Sequence, residues 1–217
     1  MAADRHFGRD QFAPGNRRSV GAPPPARRAR PKGRGKPPRA VADGAISVAY
    51  LMQTIAEMRP SDSIIVEEAP SSRPAMQAYL PIDRSEGFYT CSSGGLGHGL
   101  PAAIGVALGK PRQKVIGLIG DGSSMYAIQG LWSAAQLQVP VTFIIVRNGR
   151  YQALEDFGVH FGLSQTLGTK LPAIDFVALA TGQGIAGYRV DRADALEGVL
   201  RQALAAEKPT LVEVAVC

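Results

Sequence analysis

The sequence predicts a doubly wound α/β domain: a mainly parallel sheet with helices on both faces, preceded by a basic tail. Residues 115–119 and 141–146 are short apolar runs, the pattern of strands buried on both sides. Between them Tyr126, Ile128, Leu131, Trp132, Ala135 and Leu137 recur mostly at intervals of three and four, a helix face. Each run ends in a polar turn, Gly120-Asp121-Gly122-Ser123 in one case and Asn148-Gly149 in the other. Strand, turn, helix, strand is a βαβ unit. Both turns then follow the carboxyl ends of strands, the edge at which open α/β sheets take ligands.

The remaining elements follow in order. Val48, Leu51, Met52, Ile55 and Met58 have helical spacing, and Arg59-Pro60 stops that helix. Residues 63–67 form a short strand, the loop 68–73 leaves its carboxyl end, and a helix starts near Arg73-Pro74. Residues 94–108 are a glycine-rich turn followed by a helix of small residues: Ala102, Ala103, Gly105, Ala107 and Gly109. Small residues let such a helix pack closely on a sheet. After residues 151–161 and a Gly-, Ser- and Thr-containing stretch to Pro172, further α/β units close the domain. They are a helix at 174–180, a strand at 184–190, a helix at 193–206 and a strand at 210–216.

The net charge of +6 belongs to the tail. Residues 1–44 carry 11 of the 24 Lys and Arg, 3 of the 18 Asp and Glu, and seven of the 16 prolines, without apolar periodicity. That leaves 13 basic and 15 acidic residues for 45–217, which are nearly neutral. The tail's composition predicts disorder. It reads as a linker remnant or a misassigned start in preference to a nucleic-acid-binding arm. Its prolines spoil the amphipathic helix of a transit peptide. Cys91 and Cys217 are too few and too far apart for a metal site and read as free thiols. With no apolar run of membrane-spanning length and no signal core, the expected location is the cytoplasm.

The two turns carry specific chemistry. Gly120 and Gly122 allow close approach of a ligand, and Ser123 offers a hydroxyl and an amide at a helix start, where anions are favoured. A carboxylate at Asp121 repels phosphate unless a cation lies between. Asp121 and the amide oxygen of Asn148 are hard oxygen donors of the kind Mg²⁺ accepts, with phosphate and water completing the octahedron. The alternative is a structural glycine turn and an Asn that caps a strand. Glu67 and Glu68 are a candidate carboxylate pair, and His98 reads as a local hydrogen bonder rather than an acid or base.

GDGS, an amphipathic helix, an apolar strand and Asn-Gly together resemble the thiamine-diphosphate motif of the decarboxylase and acetolactate-synthase superfamily. The flanks agree: Gly94-Gly95-Leu96-Gly97, Leu100-Pro101-Ala102-Ala103-Ile104-Gly105 and Glu68-Ala69-Pro70-Ser71-Ser72-Arg73. The ensemble is most similar to the benzoylformate decarboxylase branch and covers residues 46–216. The resemblance implies thiamine diphosphate and Mg²⁺ as cofactors. Asp121 and Asn148 would ligate the metal by side chain and Arg150 by its carbonyl. Gly122, Ser123 and Ser71 would hold the diphosphate, and Gly94 would offer its carbonyl to the aminopyrimidine. Leu96 would be the apolar wedge beneath the cofactor and Tyr126 would pack near the pyrimidine, with Gly95, Gly120 and Tyr151 completing the site. Ala153, Leu154 and Phe157 would line the substrate pocket. Leu154 stands where relatives acting on pyruvate in the yeast manner carry Glu, which implies an apolar substrate. The chain departs from the pattern at Arg147, where an Asn is usual, and at Pro70, where a hydroxyl residue often helps hold phosphate.

The implied activity is that of a lyase decarboxylating a small 2-keto acid. The family's activating Glu belongs to a pyrimidine-binding domain of a neighbouring subunit, so this chain is expected to need such a partner and to be inactive alone. The full-length form is expected to be a homo-oligomer without membrane or nucleic-acid partners. The alternatives are an acetolactate-synthase-like carboligase domain and a non-catalytic cofactor-binding module.

Overall fold

A computed structural model describes residues 44–172 and 174–217. The expected disorder of residues 1–43 lies outside the described residues. Gly44, placed with the tail by composition, accepts the Ala193 amide at 2.8 Å.

Six strands form one sheet in the order β2-β1-β3-β4-β6-β5, with every pairing parallel. They are β1 (Ile64–Glu68), β2 (Phe88–Thr90), β3 (Val115–Gly120), β4 (Val141–Arg147), β5 (Ala186–Val190) and β6 (Thr210–Ala215). Side chains alternate across the sheet. Ile65, Ile116, Leu118, Ile144 and Val212 meet one helical layer: α1 (Val48–Met58), α2 (Arg73–Tyr79) and α8 (Ala193–Ala205). Ile64, Val66, Val115, Phe143 and Leu211 meet the other: α3 (Gly99–Gly109), α5 (Gly130–Leu137) and α7 (Phe176–Gly182). Burial on both faces explains why these strands read as continuous apolar runs. Gly117 makes room in β3: a Cβ there would lie 3.0 Å from the Phe143 ring and 3.4 Å from Ala103 Cβ.

Helix boundaries follow local chemistry. Ser47 Oγ accepts the Tyr50 amide at 3.1 Å to start α1, and Pro60 forbids its continuation past Arg59. Asp175 caps α7 by accepting the Ala178 amide at 2.9 Å. Two short helices stand at the carboxyl edge of the sheet: α4 (Asp121–Ser124) after β3 and α6 (Gln152–His160) after β4. The chain turns toward β2 after β1 and toward β4 after β3, although β1 and β3 are neighbours. Such a divergence of connections opens a crevice at the carboxyl edge.

The structure departs from the sequence reading in three places. The edge strand β2 was not expected, because it is only three half-buried residues long. The GDGS turn is itself the first turn of a helix, since α4 begins at Asp121. The next helix begins only at Gly130, and it buries Leu131, Ala134 and Ala135. Tyr126, Trp132 and Leu137 are 58%, 58% and 51% exposed, so their periodicity does not mark a core face. Cys91 and Cys217 are free, and among the described residues no helix is long and apolar enough to cross a membrane.

Phe143 is fully buried against Gly117 at the centre of the sheet. Phe143→Ala is expected to lower the unfolding free energy by about 3–5 kcal/mol. Urea denaturation monitored by circular dichroism would show this as a lower midpoint with little change in slope.

Candidate cofactor site

Two adjacent buried carboxylates at the end of β1 organise the loops around the crevice. Glu67 Oε1 accepts the Ala69 amide at 2.7 Å, and Oε2 accepts Arg73 Nη2 at 2.8 Å and Thr90 Oγ1 at 2.9 Å. It thereby joins the loop after β1 to the end of β2. Glu68 Oε1 accepts the Gly97 amide at 2.7 Å, and Oε2 accepts the Gly99 amide. That pair of bonds holds the glycine-rich turn over the sheet. A side chain at Gly99 would not fit, because its Cβ would lie 2.6 Å from Glu68 Cβ and 2.7 Å from Ile119. Both Glu residues are therefore structural, and neither lines the cavity described below.

Asp121 occupies the next loop and is 4% exposed. Its Oδ1 accepts the Gly122 amide at 2.8 Å and its Oδ2 accepts the Gly149 amide at 2.7 Å. One carboxylate thus ties the turn after β3 to the turn after β4. Burial pushes its carboxyl up from the ordinary value, while the amides of Gly149, Gly122 and Asn148 and the Arg147 guanidinium pull the other way. Asn148 Oδ1 accepts the Arg150 amide at 3.1 Å on the exposed side of the same turn. The Tyr151 ring lies over Gly122, where a Cβ would stand 2.4 Å from it.

These loops enclose a cavity of about 270 Å³. Its walls include Ser71, Gly94, Leu96, Gly120, Asp121, Gly122, Ser123, Tyr126, Arg150 and Tyr151, with Ala153, Leu154 and Phe157 along α6. Gly95 and Asn148, singled out with them in the sequence, are not on its wall. Pro70 and Gln152 are. Gln152 carries no motif signal; only its place at the start of α6, one residue after Tyr151, brings it there. His98 stands just before α3 with its Nε2 buried and unpaired, away from this wall.

The donor set fits a hard cation bridging a phosphorylated ligand. A carboxylate, an amide oxygen and the Arg150 carbonyl are all oxygen donors, and Asp121 and Arg150 are both on the cavity wall. Among the described residues no group of three or more His, Cys, Asp and Glu could hold a metal by itself. A cation here would need oxygens from its ligand, as a diphosphate provides.

Comparison with known proteins decides the family. A family model described as the C-terminal TPP binding domain of thiamine pyrophosphate enzymes matches residues 71–214. The chain belongs to the thiamine pyrophosphate enzyme family. Its relatives include a benzoylformate decarboxylase of Pseudomonas aeruginosa, 39% identical over 191 residues covering 88% of this chain and 36% of the relative. An acetolactate synthase isozyme 2 large subunit of Escherichia coli is 29% identical, over 79% of this chain and 32% of its own. The solved thiamine diphosphate-dependent 4-hydroxybenzoylformate decarboxylase of Rhodococcus jostii superposes with a TM-score of 0.82 at 39% identity, covering 88% of this chain and 37% of that one. This thiamine pyrophosphate enzyme domain thus spans about a third of the length of the relatives it matches.

Glu68 is the hinge between β1 and the glycine turn. Glu68→Ala leaves two backbone amides without their acceptor and should cost about 2–4 kcal/mol of stability. Chemical denaturation would measure it, and hydrogen exchange at Gly97 and Gly99 should accelerate beyond that of the sheet.

Proposed function

We propose that this chain binds thiamine diphosphate through Mg²⁺ as one part of a 2-keto acid decarboxylase of the benzoylformate-decarboxylase kind, and that it needs a pyrimidine-binding domain from another subunit or chain for activity. The observation that carries this reading is the cavity at the carboxyl edge of β1 and β3. It gathers a glycine-and-serine turn, a buried carboxylate and an apolar wall around one volume. When bound, thiamine diphosphate supplies an electron sink for loss of CO₂ from 2-keto acids.

The chain's own residues have separable roles in this reading. Asp121, Asn148 and the Arg150 carbonyl hold the cation. Gly122, Ser123 and Ser71 receive the diphosphate, and Gly94 presents its carbonyl to the ring system. Leu96 is an apolar support at the cavity wall, and Tyr126 and Tyr151 flank it. Ala153, Leu154 and Phe157 give the substrate side an apolar surface without a charged group, which suits an aromatic or other apolar 2-keto acid. The acetolactate-synthase-like reading shares the cation and diphosphate residues and differs at this surface.

The need for a partner rests on two features. Among the described residues Asp121 is the only carboxylate on the cavity wall, and in this reading it would be committed to the cation. Nearby acids are engaged elsewhere: Glu155 with Thr169 at 2.9 Å and Lys170 at 3.2 Å, Asp156 with Gln152 at 2.6 Å, and Asp175 with Arg189 at 2.7 Å. Among the described residues these pairings leave no acid near the cavity to protonate a ligand nitrogen at its far end. Beside the cavity, Tyr126, Leu154, Phe157 and Phe161 are 55–72% exposed, apolar surface of the kind another domain covers. Covering it would exclude water from developing charge.

The test is CO₂ release from benzoylformate with thiamine diphosphate and Mg²⁺, by the chain alone and with a separately expressed pyrimidine-binding domain. Loss of a general acid alone predicts activity about two to four orders of magnitude below the reconstituted pair. Ordinary turnover by the chain alone would overturn the partner requirement.

A further inference from the structure

Asp121 also borders a second void, of about 30 Å³. It is lined by Asp121, Arg147, Leu171, Ile174 and Phe176. A guanidinium and a carboxylate thus share a small space whose other walls are apolar, an arrangement that favours direct ion pairing. They do not pair. Arg147 reaches instead along the sheet to Glu213, with Nε 2.7 Å from Oε1. Glu213 is 1% exposed and sits on β6 directly beside Arg189, whose Nη2 is 3.2 Å from Oε2 and 2.7 Å from Asp175. The four side chains alternate in sign and sum to zero charge. The contact to Glu213 is one of charge more than of hydrogen-bond geometry, because the buried Arg147 N–H is aimed at no acceptor. A guanidinium held this way is free to turn once its counter-charge is removed.

We propose that Glu213 is a positioning residue: it holds the Arg147 guanidinium off Asp121 and so keeps that carboxylate available to a divalent cation. Resting on the cofactor reading above, this assigns a task to a residue of β6 outside the cation-binding motif. It also explains how Arg can end β4 next to a cation ligand without competing for the site. If Glu213 loses its charge, Asp121, on the wall of the same void, becomes the carboxylate open to Arg147, and the two close into an ion pair. Arg189 keeps Asp175 as its partner.

The experiment measures Mn²⁺ binding by electron paramagnetic resonance in the presence of thiamine diphosphate, using the full chain and three variants. Thermal unfolding without ligand is measured alongside. Glu213→Gln should weaken Mn²⁺ binding by about 10–100-fold, the usual effect of disturbing a residue behind a metal ligand. Arg147→Met should bind as the wild type does, because it removes the competitor. The double variant Arg147→Met/Glu213→Gln should return to the affinity of Arg147→Met. If Glu213→Gln does not fold, Glu213→Asp, which keeps the charge but retracts it, should show a smaller loss that Arg147→Met again reverses. A purely structural role would make the losses accumulate, and a double variant as weak as Glu213→Gln overturns the proposal. Wild-type protein that binds no Mn²⁺ with thiamine diphosphate would overturn the cofactor reading and this inference with it.

Discussion

Asp121 is a carboxylate buried where two turns of a parallel sheet meet, and the site depends on what that costs. Burying a charge is unfavourable unless hydrogen bonds or an opposite charge compensate it. Here backbone amides supply part of the compensation, among them those of Gly122 on one side and Gly149 on the other. They also fix the distance between the turns after β3 and β4. Asp121 also lines a cavity whose wall includes Ser71, Ser123 and the glycines 94, 120 and 122. In the proposed function a divalent cation carrying a diphosphate would complete that charge balance.

Around this centre the fold works by holding loops rather than by supplying reactive groups. Glu67 and Glu68 belong to the last turn of a fully buried strand, yet both spend their oxygens on backbone amides and on Arg73 and Thr90. The glycine turn between β2 and α3 hangs from Glu68. The helix α6 brings its apolar residues to the cavity but leaves Leu154 and Phe157 largely open. A site half walled by sheet loops and half open fits a domain that spans about a third of its relatives' length.

Much of this was legible in the sequence because the physics is local. Strands buried on both faces must be short apolar runs, and residues 115–119 and 141–146 could be read as such. The glycine turns announced close backbone approach. Long-range pairings left no such trace. Glu68 reaches amides 29 and 31 residues away, and Arg147 reaches a strand at the other end of the chain. Periodicity misled at Trp132 and Leu137, since an apolar stripe records that a surface is to be covered and not which neighbour covers it. The edge strand β2 was too short and too exposed to announce itself, and Gln152 enters the cavity only through the position of α6.

The central claim is that Asp121 and Asn148 hold a cation that carries the cofactor's diphosphate. Crystals of the full chain grown with thiamine diphosphate and Mn²⁺ would test it through anomalous scattering. The account predicts a single strong peak about 2.1 Å from an Asp121 oxygen and from Asn148 Oδ1, with diphosphate density over Gly122 and Ser123. Diphosphate bound there without a metal peak, or a peak on other residues, would contradict it.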